Sequence, residues 1–190
     1  MRSLKQTVII LIFLSTVVGL AQKSYTEESV KTALKQGFVE FVDDVRPAYS
    51  KGDTYLNFKQ KALLGKVKPT SYILPPVPVE GEDLLKKAYQ FLAANYSSKQ
   101  LLENADYKVY GKAIMFIHNY SKNNNREVSD GEIALFGGNE QLLDDNTLIA
   151  SSRGVCKWWQ LSCHLNQIFG NGGGGQILQI IIDLIIILIL

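Results

Sequence analysis

Residues 24–45, SYTEESVKTALKQGFVEFVDDV, decide the fold class. Ser24-Tyr25-Thr26-Glu27 has the spacing of a capping box, in which a serine and an acidic side chain three residues on satisfy backbone N–H groups that a helix start leaves orphaned. Val30, Leu34, Phe38, Phe41 and Val45 then recur at steps of three and four, which puts them on one stripe of a helix. Pro47 and the group Ser50-Lys51-Gly52-Asp53 end that helix.

The same period continues through most of the chain. Tyr55, Phe58, Ala62 and Leu63 predict a shorter helix that stops at Gly65. Leu84, Leu85, Ala88, Phe91 and Leu92 form a stripe within residues 81–96, and Ser97 or Ser98 can cap a following helix that contains Leu101 and Leu102. Val109, Tyr110, Ala113, Ile114, Ile117 and Tyr120 repeat the pattern up to the polar run 121–126. Ser129-Asp130-Gly131-Glu132 is a second capping-box candidate, opening a short helix that Gly137-Gly138 stops, and residues 140–149 offer a further one. Val155, Trp158, Leu161, Leu165, Ile168 and Phe169 read as a last amphipathic helix, capped by Ser151 or Ser152 and ended by Gly170. Strand alternation and internal repeats are not evident. The expected fold is therefore all-α: an irregular multi-helix bundle with a proline-rich strap at residues 69–78. Four prolines in those ten residues exclude helix and ladder pairing, and Tyr72, Ile73, Leu74 and Val77 would gain by lying on the helices.

The two ends bound the location. Residues 1–21 combine basic Arg2 and Lys5, an apolar run from Val8 to Val18, and small residues Gly19 and Ala21 before Gln22, the layout of a cleaved export signal. Removing it takes two of the 20 basic residues and none of the 18 acidic ones, so the mature chain is neutral. A neutral, evenly mixed surface lacks the clustered Lys and Arg that nucleic acid requires, and nucleic acid is excluded as a partner.

At the other end, residues 170–175 form a glycine-rich hinge, and residues 176–190 read QILQIIIDLIIILIL. Such a segment needs cover, since each buried Ile or Leu side chain contributes roughly 1.5–3 kcal/mol. As a helix it would align Gln176, Gln179 and Asp183 in one polar stripe. Its fifteen residues would span about 22 Å at 1.5 Å rise, short of the ~30 Å hydrocarbon core, which favours a shallow, re-entrant or self-associating helix over a simple span. Three coverings compete: a membrane, the protein's own body, and removal as a lipid-anchor signal with Asn171-Gly172-Gly173 as its small-residue site. Trp158 and Trp159, with Arg153 and Lys157 beside them, suit a membrane interface as well as a core.

Chemistry-bearing motifs are sparse. Cys156 and Cys163 are the only cysteines, and pairing is expected in an oxidising compartment. In a straight helix, seven residues would hold their Cα atoms about 10.5 Å apart at 1.5 Å rise, beyond the ~7 Å that a disulfide tolerates. Either residues 157–162 form a turn that closes the pair, or the two remain thiols or bridge chains. His164 beside Cys163 lacks the separated ligand pairs of a zinc site, and His118 has no nucleophile at a recognised spacing. Asp43-Asp44 reads as a solvated face next to Arg46, and Asp144-Asp145 as a turn signal. Asn95-Tyr96-Ser97 and Asn119-Tyr120-Ser121 match the N-glycosylation pattern. No catalytic, cofactor or metal residue set can be assembled from spacing alone. The expectation is a non-enzymatic helical domain, residues 22–169, exported and associated with a membrane lipid or a protein partner, including a second copy of itself, through its tail. The alternative is a secreted membrane-active protein of toxin type whose hinge lets the tail insert.

Overall fold

The protein is described from a computed structural model that covers residues 25–64, 74, 76–138, 156–169 and 174–189, the backbone alone at 174–180 and 189. Its first helix, α1 (Glu27–Val45), is capped by Thr26, two residues beyond the expected Ser24. The Thr26 Oγ accepts from the Ser29 amide at 3.2 Å, and the Thr26 amide donates to the Ser29 Oγ at 2.9 Å. A serine at the third helical position thus supplies the reciprocal bond that the sequence pattern assigns to Glu27. A 3-10 turn at Arg46–Ala48, carrying Pro47, ends α1 as expected.

Seven further α-helices follow among the described residues: α2 (Tyr55–Leu64), α3 (Val79–Ala93), α4 (Ser98–Asn104), α5 (Tyr107–Asn124), α6 (Val128–Leu135), α7 (Leu161–Phe169) and α8 (Gly174–Ile189). No strand occurs among those residues, which are mostly helical, as an all-α fold requires. Ser97 and Gln100 form the capping box of α4. Asn125, in the left-handed region at φ 49°, ends α5, and Gly137 and Gly138, with φ of 105° and 70°, follow α6.

Helix α1 is the hub, packing against α3, α4, α5, α7 and α8. Its buried stripe, Val30, Leu34, Phe38, Phe41, Val42 and Val45, matches the apolar period of the sequence. Phe38 meets Phe91 of α3 edge-on at 5.6 Å between ring centroids, while Phe41 stacks on Phe136 at 6.2 Å and touches Trp158 at 6.1 Å. Helices α5 and α6 form a close hairpin because Gly131 is where they cross. A Cβ there would lie 2.6 Å from the Ile117 carbonyl oxygen. Thus Gly131, expected inside a capping box, serves instead to bring two helices together.

A smaller aromatic group closes the α2–α3 end. Tyr49, Tyr55 and Phe58 each lie within about 6 Å of the Tyr89 ring, whose hydroxyl donates to the Asp53 carbonyl at 2.8 Å. Lys59 bridges to Glu82 at 2.5 Å and Lys61 to Asp53 at 2.8 Å, and the Lys61 hydrogen bond holds the Asp53 carboxyl below its usual value. Most of the proline-rich strap lies outside the described residues; Leu74 and Val77, which are described, pack against the core.

Candidate functional site

Two features of the structure hold functional interest: the C-terminal helix and a buried polar cluster beside it. The helix comes first because the sequence singles it out. α8 runs over Gly174–Ile189, so Gly174 and Gly175 of the expected hinge form its first turn, and residues 170–173 lie outside the described residues. It packs on α5, α1 and α7. Ile181, Ile182 and Ile185 are buried in the main core, and Leu184 and Leu188 are partly buried against it. The protein's own body therefore covers one side of the tail. At roughly 1.5–3 kcal/mol per side chain, burial of the three isoleucines contributes to holding this helix on the body.

The opposite side faces water. Asp183 is exposed, and Ile186 and Ile187, one turn further along the same side, are 37% and 61% exposed. The docked geometry turns Asp183 outward, so its charge is not carried into the core. The side chains of Gln176 and Gln179 lie outside the described residues. No helix among the described residues is long and apolar enough to cross a membrane.

Trp158 and Trp159 are not at the surface. Both indoles belong to the core, 2% and 7% exposed, with Trp158 4.9 Å from the Phe136 ring and Trp159 beneath the Lys157 ammonium at 5.6 Å. They are held there by a turn rather than by a helix. Cys156 and Cys163 are disulfide-bonded, their Cα atoms 5.8 Å apart. Within the loop so closed, the Gln160 amide donates to the Lys157 carbonyl at 2.9 Å and the Lys157 amide to the Gln160 Oε1 at 3.0 Å. The last amphipathic helix therefore begins at Leu161, not near Val155. With both sulfurs in that bond, neither is a thiolate for a metal.

The second feature is not foreshadowed by any sequence motif. Five polar side chains from four elements meet beneath α7: Glu40 and Asp44 of α1, Tyr110 of α5, Glu132 of α6, and His164 of α7. The imidazole lies between the two α1 carboxylates, with Nδ1 3.5 Å from the Glu40 Oε2 and Nε2 3.5 Å from the Asp44 Oδ2, and Nε2 is also 3.1 Å from the Lys157 carbonyl oxygen. Because those carboxylates sit at opposite nitrogens of the ring, they cannot join His164 around one metal ion.

Glu132 accepts two bonds at its Oε1, from the Ser162 amide at 2.8 Å and the Ser162 hydroxyl at 2.5 Å. Burial pushes its carboxyl up to about 7, against the pull of those two bonds and of His164. The Tyr110 hydroxyl donates to the Leu161 carbonyl at 3.2 Å. Burial, then the charges of Glu40, Glu132 and Asp44, push that phenol well above its usual value.

Two sequence expectations fail at this cluster. Asp44 does not share a solvated face with Asp43: only Asp43 faces outward, to Arg46 at 2.8 Å, and Asp44 is buried. Nor does Glu132 belong to a cap, because α6 starts one residue before Ser129, with Glu127 at the N-cap, and Glu132 points inward. The signal for Asp44 is modest: it lies three residues beyond Phe41 and two beyond Val42, at the edge of the apolar stripe.

A groove of about 670 Å³ separates α3 and α5, with Val109, Met115, Phe116 and Tyr120 forming its apolar part and Glu80, Asp83 and Lys112 its charged part. His118, half-buried, and exposed Asn119 lie on α5 near it. Asn95 is exposed in the turn between α3 and α4, whereas Ser121 of the other glycosylation pattern is buried. Asp144-Asp145 lies outside the described residues. No protein-family model matches the chain, and neither a curated protein nor a solved structure shows detectable similarity to it.

Proposed function

We propose that this is an exported, non-enzymatic helical protein that associates with the outer face of a membrane through the exposed side of α8. The observation that carries the reading is the pair Ile186 and Ile187, left in water on a helix whose other side is already occupied by the body. A helix of 16 residues is about 24 Å long at 1.5 Å rise, and Asp183 at mid-membrane would cost about 2.5–3.5 kcal/mol. A shallow, tilted position eases both problems: Ile186 and Ile187, one turn nearer the C-terminus than Asp183, enter the boundary between headgroups and acyl chains, and the carboxylate stays at the headgroups. The export layout of residues 1–21 supports the same compartment.

Co-flotation with phosphatidylcholine vesicles tests this. The full mature chain is expected to float with the vesicles, and the double variant Ile186→Asn, Ile187→Asn, which leaves the docked face intact, is expected to stay at the bottom. Equal behaviour of the two would remove the membrane reading.

The toxin-type alternative has one observation in its favour. Ile181, Ile182 and Ile185 complete an apolar surface around α8, so the helix released from the body would be apolar on nearly every side. Dye-loaded vesicles distinguish the two readings, because a docked surface helix binds without causing leakage.

A further inference from the structure

Helices α3 and α5 pack together, and the groove along their junction is built from one face of each. On α5, Val109, Lys112, Phe116, Tyr120 and Asn123 recur at steps of three and four and share a stripe, with Asn119 beside it. From Val109 to Asn123 that stripe runs about 21 Å at 1.5 Å rise. The other face of α5, with Tyr110, Ala113, Ile114 and Ile117, is spent on the core.

Across the groove stand Val79, Glu80 and Asp83, at the start of α3. The body fixes this wall. Gly81 meets the end of α6 so closely that a Cβ would run into the Leu135 carbonyl oxygen, and Glu82 is held by Lys59. A wall already in place lowers the ordering cost of binding. The volume, about 670 Å³, lies within the roughly 300–1,000 Å³ of small-molecule sites.

The lining chemistry narrows the occupant. The Phe116 and Tyr120 rings have centroids 6.2 Å apart and planes 23° apart, so their faces turn nearly the same way. The Asn119 and Asn123 amides flank them, and an amide both donates and accepts. Among the described residues Glu80, Asp83 and Lys112 form no salt bridge, whereas their neighbours Glu82 and Lys87 pair with Lys59 and Asp106. The groove thus mixes acceptors, donors and ring faces with little net charge. A lipid chain would strip water from these polar groups without replacing its hydrogen bonds, and a nucleic acid would bring phosphates against two carboxylates. A sugar answers every part: its hydroxyls donate and accept, and its C–H groups, slightly positive, rest on the negative face of an aromatic ring.

We propose that the α3–α5 groove binds a neutral oligosaccharide, stacked on Phe116 and Tyr120, with Asn119, Asn123 and the α3 carboxylates bonding its hydroxyls. The site uses no residue of α8 and stands whether or not that helix binds lipid.

Titration calorimetry of the full mature chain with maltohexaose, cellohexaose and N-acetylchitohexaose tests this. At least one of the three is expected to bind, and Tyr120→Ala is expected to weaken that binding by roughly tenfold through the loss of a ring face. The double variant Asn119→Ala, Asn123→Ala, at exposed positions, should weaken it by roughly the same factor through two lost hydrogen bonds, and it decides the matter should Tyr120→Ala not fold. Ile186→Asn, Ile187→Asn should bind the sugar as the native chain does. A groove that takes the amine 2-phenylethylamine but none of the three sugars belongs to an organic cation, and that result, like binding of neither at millimolar concentration, would overturn the proposal. So would sugar binding that survives both the ring and the amide substitutions unchanged.

Discussion

Glu132 shows how one side chain can be assigned two opposite roles from the same four letters. In Ser129-Asp130-Gly131-Glu132 the spacing suggests an exposed cap at Ser129, yet the N-cap is Glu127, and that two-residue difference is enough to point Glu132 into the core. The neighbouring Gly131, by allowing α5 to approach, is what makes the interior position available. The thermodynamic consequence has a definite sign. A carboxyl held at about 7 in the fold, against 4.5 for its unperturbed value, binds its proton more tightly when folded. Its contribution to stability is therefore complete below about pH 4.5 and is lost as pH rises through about 7. At about 1.4 kcal/mol for each pH unit between those values, the whole effect is on the order of 3 kcal/mol. Denaturant unfolding should show Glu132→Gln gaining on the native sequence by about that amount between pH 5 and pH 8.5; a constant difference across that range would contradict the assignment. Nothing in the linear sequence distinguishes this glutamate from a cap, because burial here is set by a contact thirty residues away at Ser162.

Among the elements, the apolar stripe of α1 is legible in the sequence, though its Thr26 cap and the burial of Asp44 are not, and α7 is legible only in part, for a physical reason. Both carry apolar residues at steps of three and four, but in α1 every such residue lies on one continuous helix, whereas Trp158 reaches the core from a turn. Periodicity reports which side chains are buried, and a turn that delivers an indole to the same core satisfies it equally well. The cysteines hold the distinguishing information, since a seven-residue separation can be bridged only if the helix is interrupted. The bond also sets the strength of that turn. Closing a loop of this size is worth about 2–3 kcal/mol through the unfolded chain, and this loop holds Trp158, Trp159 and the start of α7 in place. The double substitution Cys156→Ser, Cys163→Ser should lower the unfolding free energy by about that amount in non-reducing buffer, and the native sequence measured in excess reductant should be equally weakened. If reductant has no effect on the native chain, the turn does not depend on the bond. Ser97 capping α4 and Gly137-Gly138 stopping α6 follow their sequence signals, because these caps are local and need no tertiary partner.

At the scale of the whole molecule, the question is what covers a C-terminal segment of eight isoleucines and four leucines. Composition requires cover of some kind and does not choose among lipid, a partner and the body, because isoleucine gains about the same from any apolar neighbour. The structure divides the helix: Ile181, Ile182 and Ile185 go to the body, while Asp183, Ile186 and Ile187 face out. On the reading proposed above, both sides are in use, the inner one for the fold and the outer one for a membrane. Isoleucine methyl spectra of the full mature chain, first in water and then with lipid bicelles, test it in one titration. The methyls of Ile181, Ile182 and Ile185 are expected to contact side chains of α1 and α5 in both conditions, with shifts on adding lipid confined to Ile186, Ile187 and their neighbours. Inner methyls that lack those contacts in water, or outer methyls that ignore the bicelles, would contradict it.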